Sequence, residues 1–199
     1  MRESTMRTMA RAIRIIPIAA AALALLVSCS QRAALEDLEA NIRDSLRGAE
    51  GIEATANITA DYGDDVFDFT VKYIGTADMG TVEILEPDIV AGVVAKVTFP
   101  ECYLEYDGAS VESGPLTGDG LSPVQALPVL LGQWTDGYAE IMSSERVGSA
   151  DALAIETRIT DTASQKTWFN SETLLPVRSE IYDMGKMVVS CTVESILIR

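Results

Sequence analysis

Apolar and polar residues follow two periods along this chain. Leu35, Leu38, Ile42 and Leu46 recur at spacings of three and four, with Glu36, Asp37, Glu39, Arg43, Asp44 and Arg47 on the opposite side. That stripe predicts a helix from Ser30 to Ala49, with residues 35–49 packing on the rest and Gly48 and Gly51 ending it. From Ile52 the period becomes two. Ile52, Ala54, Ala56, Ile58, Ala60 and Tyr62 alternate with Glu53, Thr55, Asn57, Thr59 and Asp61, the pattern of a half-buried antiparallel strand. Gly63-Asp64-Asp65 turns the chain, and Phe67, Phe69, Val71 and Tyr73 form the buried face of the next strand. Further strands are predicted at Thr81–Leu85, Val93–Phe99, Tyr103–Tyr106 and Ser110–Glu112, with turns at Glu86-Pro87-Asp88, Pro100 and Asp107-Gly108.

The stretch Gly114–Tyr138 interrupts this meander. A glycine-rich loop leads to Ser122-Pro123, a helix N-cap followed by proline at the first helical position. Val124, Leu127, Leu130, Leu131 and Trp134 then repeat at helical spacing. Pro128 lies within that run and is expected to kink or divide it, since it lacks an N–H and clashes with the carbonyl four residues back. The period of two resumes near Glu140–Arg146, Leu153–Thr160, Lys166–Phe169, Val177–Tyr182 and Met187–Ile198. Some ten antiparallel strands thus have only two helical segments to cover them, which predicts a strongly curved sheet wrapped around those helices as an incomplete barrel. Ala54, Ala56 and Ala60 leave room on its inner face. Either the amino-terminal helix or a ligand fills that room.

The first residues carry a different signal. Arg2, Arg7, Arg11 and Arg14 precede an apolar run from Ile15 to Val27, followed by Ser28 and Cys29. This is the three-part layout of a secretion signal. Thirteen residues fall short of the roughly 18–20 that span a bilayer. Leu26-Val27-Ser28-Cys29 resembles the lipobox of bacterial lipoproteins, which implies residues 1–28 as a signal peptide. It also implies Cys29 as the lipid-modified first residue of an extracytoplasmic, membrane-anchored chain carrying acyl groups such as palmitate.

Charge and cysteine content narrow the function. The first 28 residues hold four of fifteen Lys and Arg and one of thirty Asp and Glu, leaving eleven against twenty-nine, a net charge of −18. Such a surface repels phosphate backbones, so no nucleic-acid partner is expected. The chain has no histidine, which removes Ser-His-Asp and Cys-His catalysis. It also has no phosphate-binding loop, dinucleotide glycine pattern or metal-ligand spacing, so neither enzyme activity nor a cofactor or metal is expected. Asp61, Asp64, Asp65 and Asp68 form the densest acidic group and read as a solvated hairpin tip. Cys102 and Cys191 either pair, as extracytoplasmic cysteines do, or sit as buried thiols in their strands. Sequence spacing decides neither.

Two stretches resemble the LolA/LppX-type lipoprotein-carrier superfamily. Residues 81–87 (TVEILEP), 90–97 (VAGVVAKV) and 104–108 (LEYDG) are similar to its strand–proline–strand run ending in YDG. Residues 168–176 (WFNSETLLP), continuing through Arg178 to Tyr182, are similar to its W-x-D-x-x-T-G-L-P run, with Asn170 replacing Asp and Leu174 replacing Gly. Within the superfamily the chain looks most like lipid-anchored clostridial members, including germination lipoproteins of the GerS kind. The resemblance implies an α+β fold: a half-barrel of about eleven antiparallel strands over residues 51–199, with residues 29–50 as lipidated cysteine and amino-terminal helix. It implies a central helical lid over a concave cavity holding a lipid, a lipoprotein acyl chain or an apolar partner segment. Phe67, Phe69, Val71, Val124, Leu127, Leu130, Leu131, Trp134 and Trp168 are the candidate cavity and lid residues. The alternative is an envelope or spore-germination protein that recruits a protein partner, its cavity filled by its own side chains.

Overall fold

The structure, a computed structural model, describes residues 32–76, 79–98, 101–115 and 119–199, with residues 111–115 described by their backbone alone. The expected signal peptide, residues 1–28, and the expected lipidation site, Cys29, lie outside the described residues. Residues 32–37 and Leu38–Arg199 belong to separate units. In the first, residues 32–37 are helical, with an Arg32–Glu36 ion pair one turn apart.

The second unit begins with helix α1 at residues 38–47. Six strands follow: β1 (Ile52–Asp61), β2 (Val66–Gly75), β3 (Met79–Glu86), β4 (Val94–Thr98), β5 (Glu101–Tyr106) and β6 (Ala109–Pro115). Helix α2 (Pro123–Asp136) comes next, then β7 (Ala139–Val147), β8 (Ala150–Arg158), β9 (Ala163–Asn170), β10 (Pro176–Asp183) and β11 (Lys186–Ile198). All eleven strands form one antiparallel, curved and unclosed sheet in the order β6-β5-β4-β3-β2-β1-β11-β10-β9-β8-β7. Two meanders are therefore sewn together by the β1–β11 ladder, which runs from Ile52↔Ile198 to Ala60↔Val189. The edges are β6 and β7, and α2 is the connection between them. A chain leaving one edge for the other must cross a face of the sheet, which places α2 over the concave side.

Alternation fixes which residues meet it. On β1, Ile52, Ala54, Ala56, Ile58 and Ala60 are all at most 2% exposed, while their neighbours face outward. Opposite them lie Val71 and Tyr73 of β2, and Cys191 and Val189 of β11. Small alanines on the central strand let helices approach closely, as the sequence pattern anticipates. One end of this face is closed by backbone. Gly75 and Gly80 pair directly, and the Tyr73 ring lies across them with its hydroxyl donating to the Thr76 and Met79 carbonyls. A Cβ on Gly80 would lie 2.5 Å from the Tyr73 hydroxyl, so only glycine fits there.

The turn at 170–175 keeps its geometry despite the substituted motif. Asn170 Oδ1 accepts the N–H groups of Glu172 (2.9 Å) and Thr173 (3.0 Å), the role a turn aspartate plays. Leu174 adopts φ +61°, a left-handed conformation that suits glycine. Leu174→Gly is therefore expected to raise stability by up to about 1 kcal/mol, since relief of strain outweighs the entropy that glycine adds to the unfolded chain. Urea unfolding of the two proteins, compared at equal m-value, checks it.

The concave face and the helix that fills it

Helix α2 starts at Ser122, whose side chain makes no capping hydrogen bond, with Pro123 in the first turn. It then runs unbroken through Pro128 to Asp136, contrary to the expected kink or break. The physical reason is position and packing. Pro128 removes a single bond, to the Val124 carbonyl near the start of the helix, while Ala126, Leu127, Val129, Leu130, Leu131 and Trp134 beside it are buried.

The other end is held by α1. Arg43, only 7% exposed, donates to the carbonyls of Gln133 (3.4 Å) and Trp134 (3.3 Å) and is ion-paired with Glu39. Arg47 pairs with Asp136 at 3.3 Å. Helix α2 carries no basic residue in its last turn, so α1 supplies the cations that its C-terminal dipole favours. The sequence pattern put Arg43 and Arg47 on the helix face opposite the apolar stripe. The signal for Arg43 was its place beside Ile42 and three residues before Leu46, on the flank of the apolar stripe.

The indole of Trp134 anchors α2 to the sheet. Its Nε1 donates to Thr167 Oγ1 (3.0 Å), which lies 2.8 Å from Ser179 Oγ, and its ring meets Phe169 edge-on at 6.0 Å. Leu127, Leu130 and Leu131 are 0% exposed. At these positions α2 fills the concave face.

The structure brings Val71, Leu127, Leu130, Leu131 and Trp134 together in that core, with Val124 half-buried at its margin. Phe69 and Phe67 share the concave face but lie toward one end, where Phe67 is 46% exposed. Tyr62, Phe67 and Phe69 form a run of rings at 6.2 and 6.4 Å, and the Tyr62 hydroxyl donates to the Leu121 carbonyl just before α2. This aromatic run is an exposed part of the face.

Trp168 does not belong to it. Alternation on β9 turns Thr167 and Phe169 inward and Trp168 to the convex side. There Lys166 and Arg178 flank its ring at 5.1 and 5.8 Å, and its Nε1 donates to Glu145 (2.7 Å). The Glu145 carboxylate also accepts from Lys166 (2.8 Å) and Ser143 (2.8 Å). The Lys166, Trp168 and Ser143 hydrogen bonds pull its pKa from 4.5 down to about 2, against burial. Nearby, Tyr182 donates to Glu180, and burial with that bond lifts its hydroxyl to about 12.

Because the Glu145 pKa is depressed on folding, its contribution to stability is present above pH 4.5 and lost as the pH falls toward 2. The group is partly exposed, so the effect is about 1 kcal/mol. Glu145→Gln should flatten the acid limb of a melting-temperature profile over that range and leave the neutral-pH fold intact.

Cys102 and Cys191 are buried thiols and are not bonded to each other. They sit on β5 and β11, with four strands between them in the sheet order, and neighbours about 4.8 Å apart exceed the roughly 7 Å Cα reach of a disulfide. Burial pushes the Cys191 thiol up to about 12. Asp61, Asp64, Asp65 and Asp68 line the β1–β2 hairpin, Asp61 paired with Lys186 (3.6 Å) and Asp68 accepting from Thr59 (2.6 Å). Among the described residues no three metal-ligating side chains converge, and no helix is long and apolar enough to cross a membrane.

No family model and no curated protein matches the chain. Solved structures do. An uncharacterized conserved protein from Thermus thermophilus is 14% identical with a TM-score of 0.52, over 80% of this chain and 86% of that one. A DUF1329 family protein from Desulfovibrio piger is 12% identical with a TM-score of 0.51, over 83% and 92%. A LolA superfamily protein from Nitrosomonas europaea, 13% identical over 80% and 92%, overlays at 0.46, too loosely to carry an argument. At these identities the first two likenesses concern the fold alone: the chain shares with them one large sheet architecture.

Proposed function

We propose that this chain is an extracytoplasmic, lipid-anchored binding protein without catalytic activity. Its binding surface is the concave face of the sheet, its ligand an acyl chain or apolar partner segment, and α2 is the element that occupies the face when no ligand is bound. The observation that carries this is an unclosed, apolar sheet face covered by one connecting helix. The sequence resemblance to LolA/LppX-type carriers supports it, as does the lipobox-like stretch before Cys29. Residues 29–50 would then form the lipidated start and helix, and residues 51–199 the binding domain.

Magnitudes favour exchange of α2 for a ligand. Fully burying a large apolar side chain is worth about 1.5–3 kcal/mol, so Leu127, Val129, Leu130, Leu131 and Trp134 together represent roughly 8–15 kcal/mol. An acyl chain of about sixteen carbons contributes roughly 12 kcal/mol at about 0.8 per CH₂. The two occupants are near balance, which a reversible carrier requires.

The second reading is an envelope or spore-germination protein that recruits a protein partner with its cavity permanently filled. The complete burial of Leu127, Leu130 and Leu131 favours it. Native mass spectrometry of protein purified from membranes separates the two. A co-purifying lipid supports the carrier; a bare chain that also refuses an added acyl probe supports the recruiter.

The anchor has its own test. Cys29→Ala should move the protein from the membrane fraction to the soluble fraction or leave the signal uncleaved. A wild-type amino terminus free of lipid after processing would refute the anchor.

A further inference from the structure

Among the described residues, buried polar groups interrupt the apolar concave face on β8 and β9. Thr157 on β8 and Gln165 on β9 are direct cross-strand partners, on the same face that Thr167 turns toward Trp134. They are 1% and 2% exposed, and Thr157 Oγ1 and Gln165 Oε1 have no hydrogen-bond partner. Next to them, Thr167 and Ser179 are fully buried and bonded to each other. Two adjacent, unpaired polar atoms in an apolar trough cost stability, because each has given up its hydrogen bonds to water without a replacement. Removing them would be neutral for a protein whose only requirement were a filled core.

Charge narrows what they await. The inward positions of β1, β2, β8, β9 and β11 offer no lysine or arginine along the body of the trough. On β7, Arg146 lies at the exposed rim and is paired with Asp151 at 3.4 Å. Arg43 is committed to Glu39 and the α2 carbonyls. An anionic head would enter without a counter-ion, whereas a neutral ester, amide or hydroxyl would pair with a threonine hydroxyl and a glutamine amide, each of which can donate or accept.

We infer that Thr157 and Gln165 form the head-group site of the concave face and select an uncharged, hydrogen-bonding acyl ligand over a fatty-acid or phospholipid anion. The inference rests on the carrier reading above. The test is equilibrium binding of monooleoylglycerol and of oleate to the purified protein at pH 8, read by displacement of a fluorescent acyl probe. The same measurements are made on Thr157→Val/Gln165→Leu and on Thr157→Val alone, with melting temperatures alongside.

Monooleoylglycerol is expected to bind at least tenfold tighter than oleate. The double variant should lose that preference through weaker binding of the glycerol ester, with a melting temperature equal to or above that of the wild type. The single variant should lose part of it, and it carries the test if the double variant does not fold. Equal affinities, tighter oleate, or a preference that survives the substitutions would overturn the head-group site and leave the carrier reading standing. Failure of either lipid to displace the probe, or failure of the probe to bind, would overturn the carrier reading itself and this inference with it.

Discussion

Replacing Leu127 and Leu130 together with alanine should lower the unfolding free energy by about 4–10 kcal/mol, at about 2–5 for each fully buried leucine. Both are 0% exposed, and each truncation leaves a void that packed strands on one side and helix on the other cannot close. For a domain of this size the loss is comparable with the whole stability, so the double variant is expected to be largely unfolded at 37 °C and each single variant folded with a lower denaturation midpoint. Chemical denaturation gives the numbers. A summed loss below about 2 kcal/mol would mean that α2 rests on the face without packing into it.

Trp134→Ala should cost about 3–5 kcal/mol, and Trp134→Phe less. The alanine variant loses the indole volume, the edge contact with Phe169 and the donor to Thr167. Phenylalanine restores much of the volume and leaves the Thr167–Ser179 pair without its indole donor. The loss in the phenylalanine variant therefore reports mainly the hydrogen bond, expected at about 1–2 kcal/mol in this buried setting, and the further loss in the alanine variant reports packing. Unlike the leucines, Trp134 links α2 to β9 specifically, so its loss should also speed hydrogen exchange at the C-terminal end of α2. A phenylalanine variant as stable as the wild type would remove the bond from the account.

Most of the fold was legible because its periods are clean. The strict alternation from Ile52 to Asp61 named the central strand and its inner face, and turn residues placed the hairpins to within a few positions. The broken pattern around residues 114–138 correctly marked the connecting helix. Two local rules misled. Pro128 read as a break because propensity is local, whereas burial of the residues around it keeps α2 whole. Trp168 read as cavity lining because it is large and aromatic, but register, set by its partners Ala154 and Arg178, puts it on the convex face.

The site was harder to read than the fold. Arg43 acts on residues ninety positions away, and no sequence period announces such a contact. Thr157 and Gln165 look like ordinary outward polar positions until the register shows them inside. Sequence chemistry could say that little here resembles catalysis. It could not say that the concave face is already occupied, because occupancy depends on how far α2 sinks between the meanders.

In the proposed carrier, α2 holds the concave face at rest and yields it to a ligand. Hydrogen exchange over residues 123–136, with and without saturating monooleoylglycerol, measures this directly. In the free protein these amides should exchange nearly as slowly as those of β1. With ligand bound they should exchange faster, as the helix leaves the face, while β1 and β11 stay protected or become more so. Protection of α2 that is unchanged or increased by bound ligand would contradict the account.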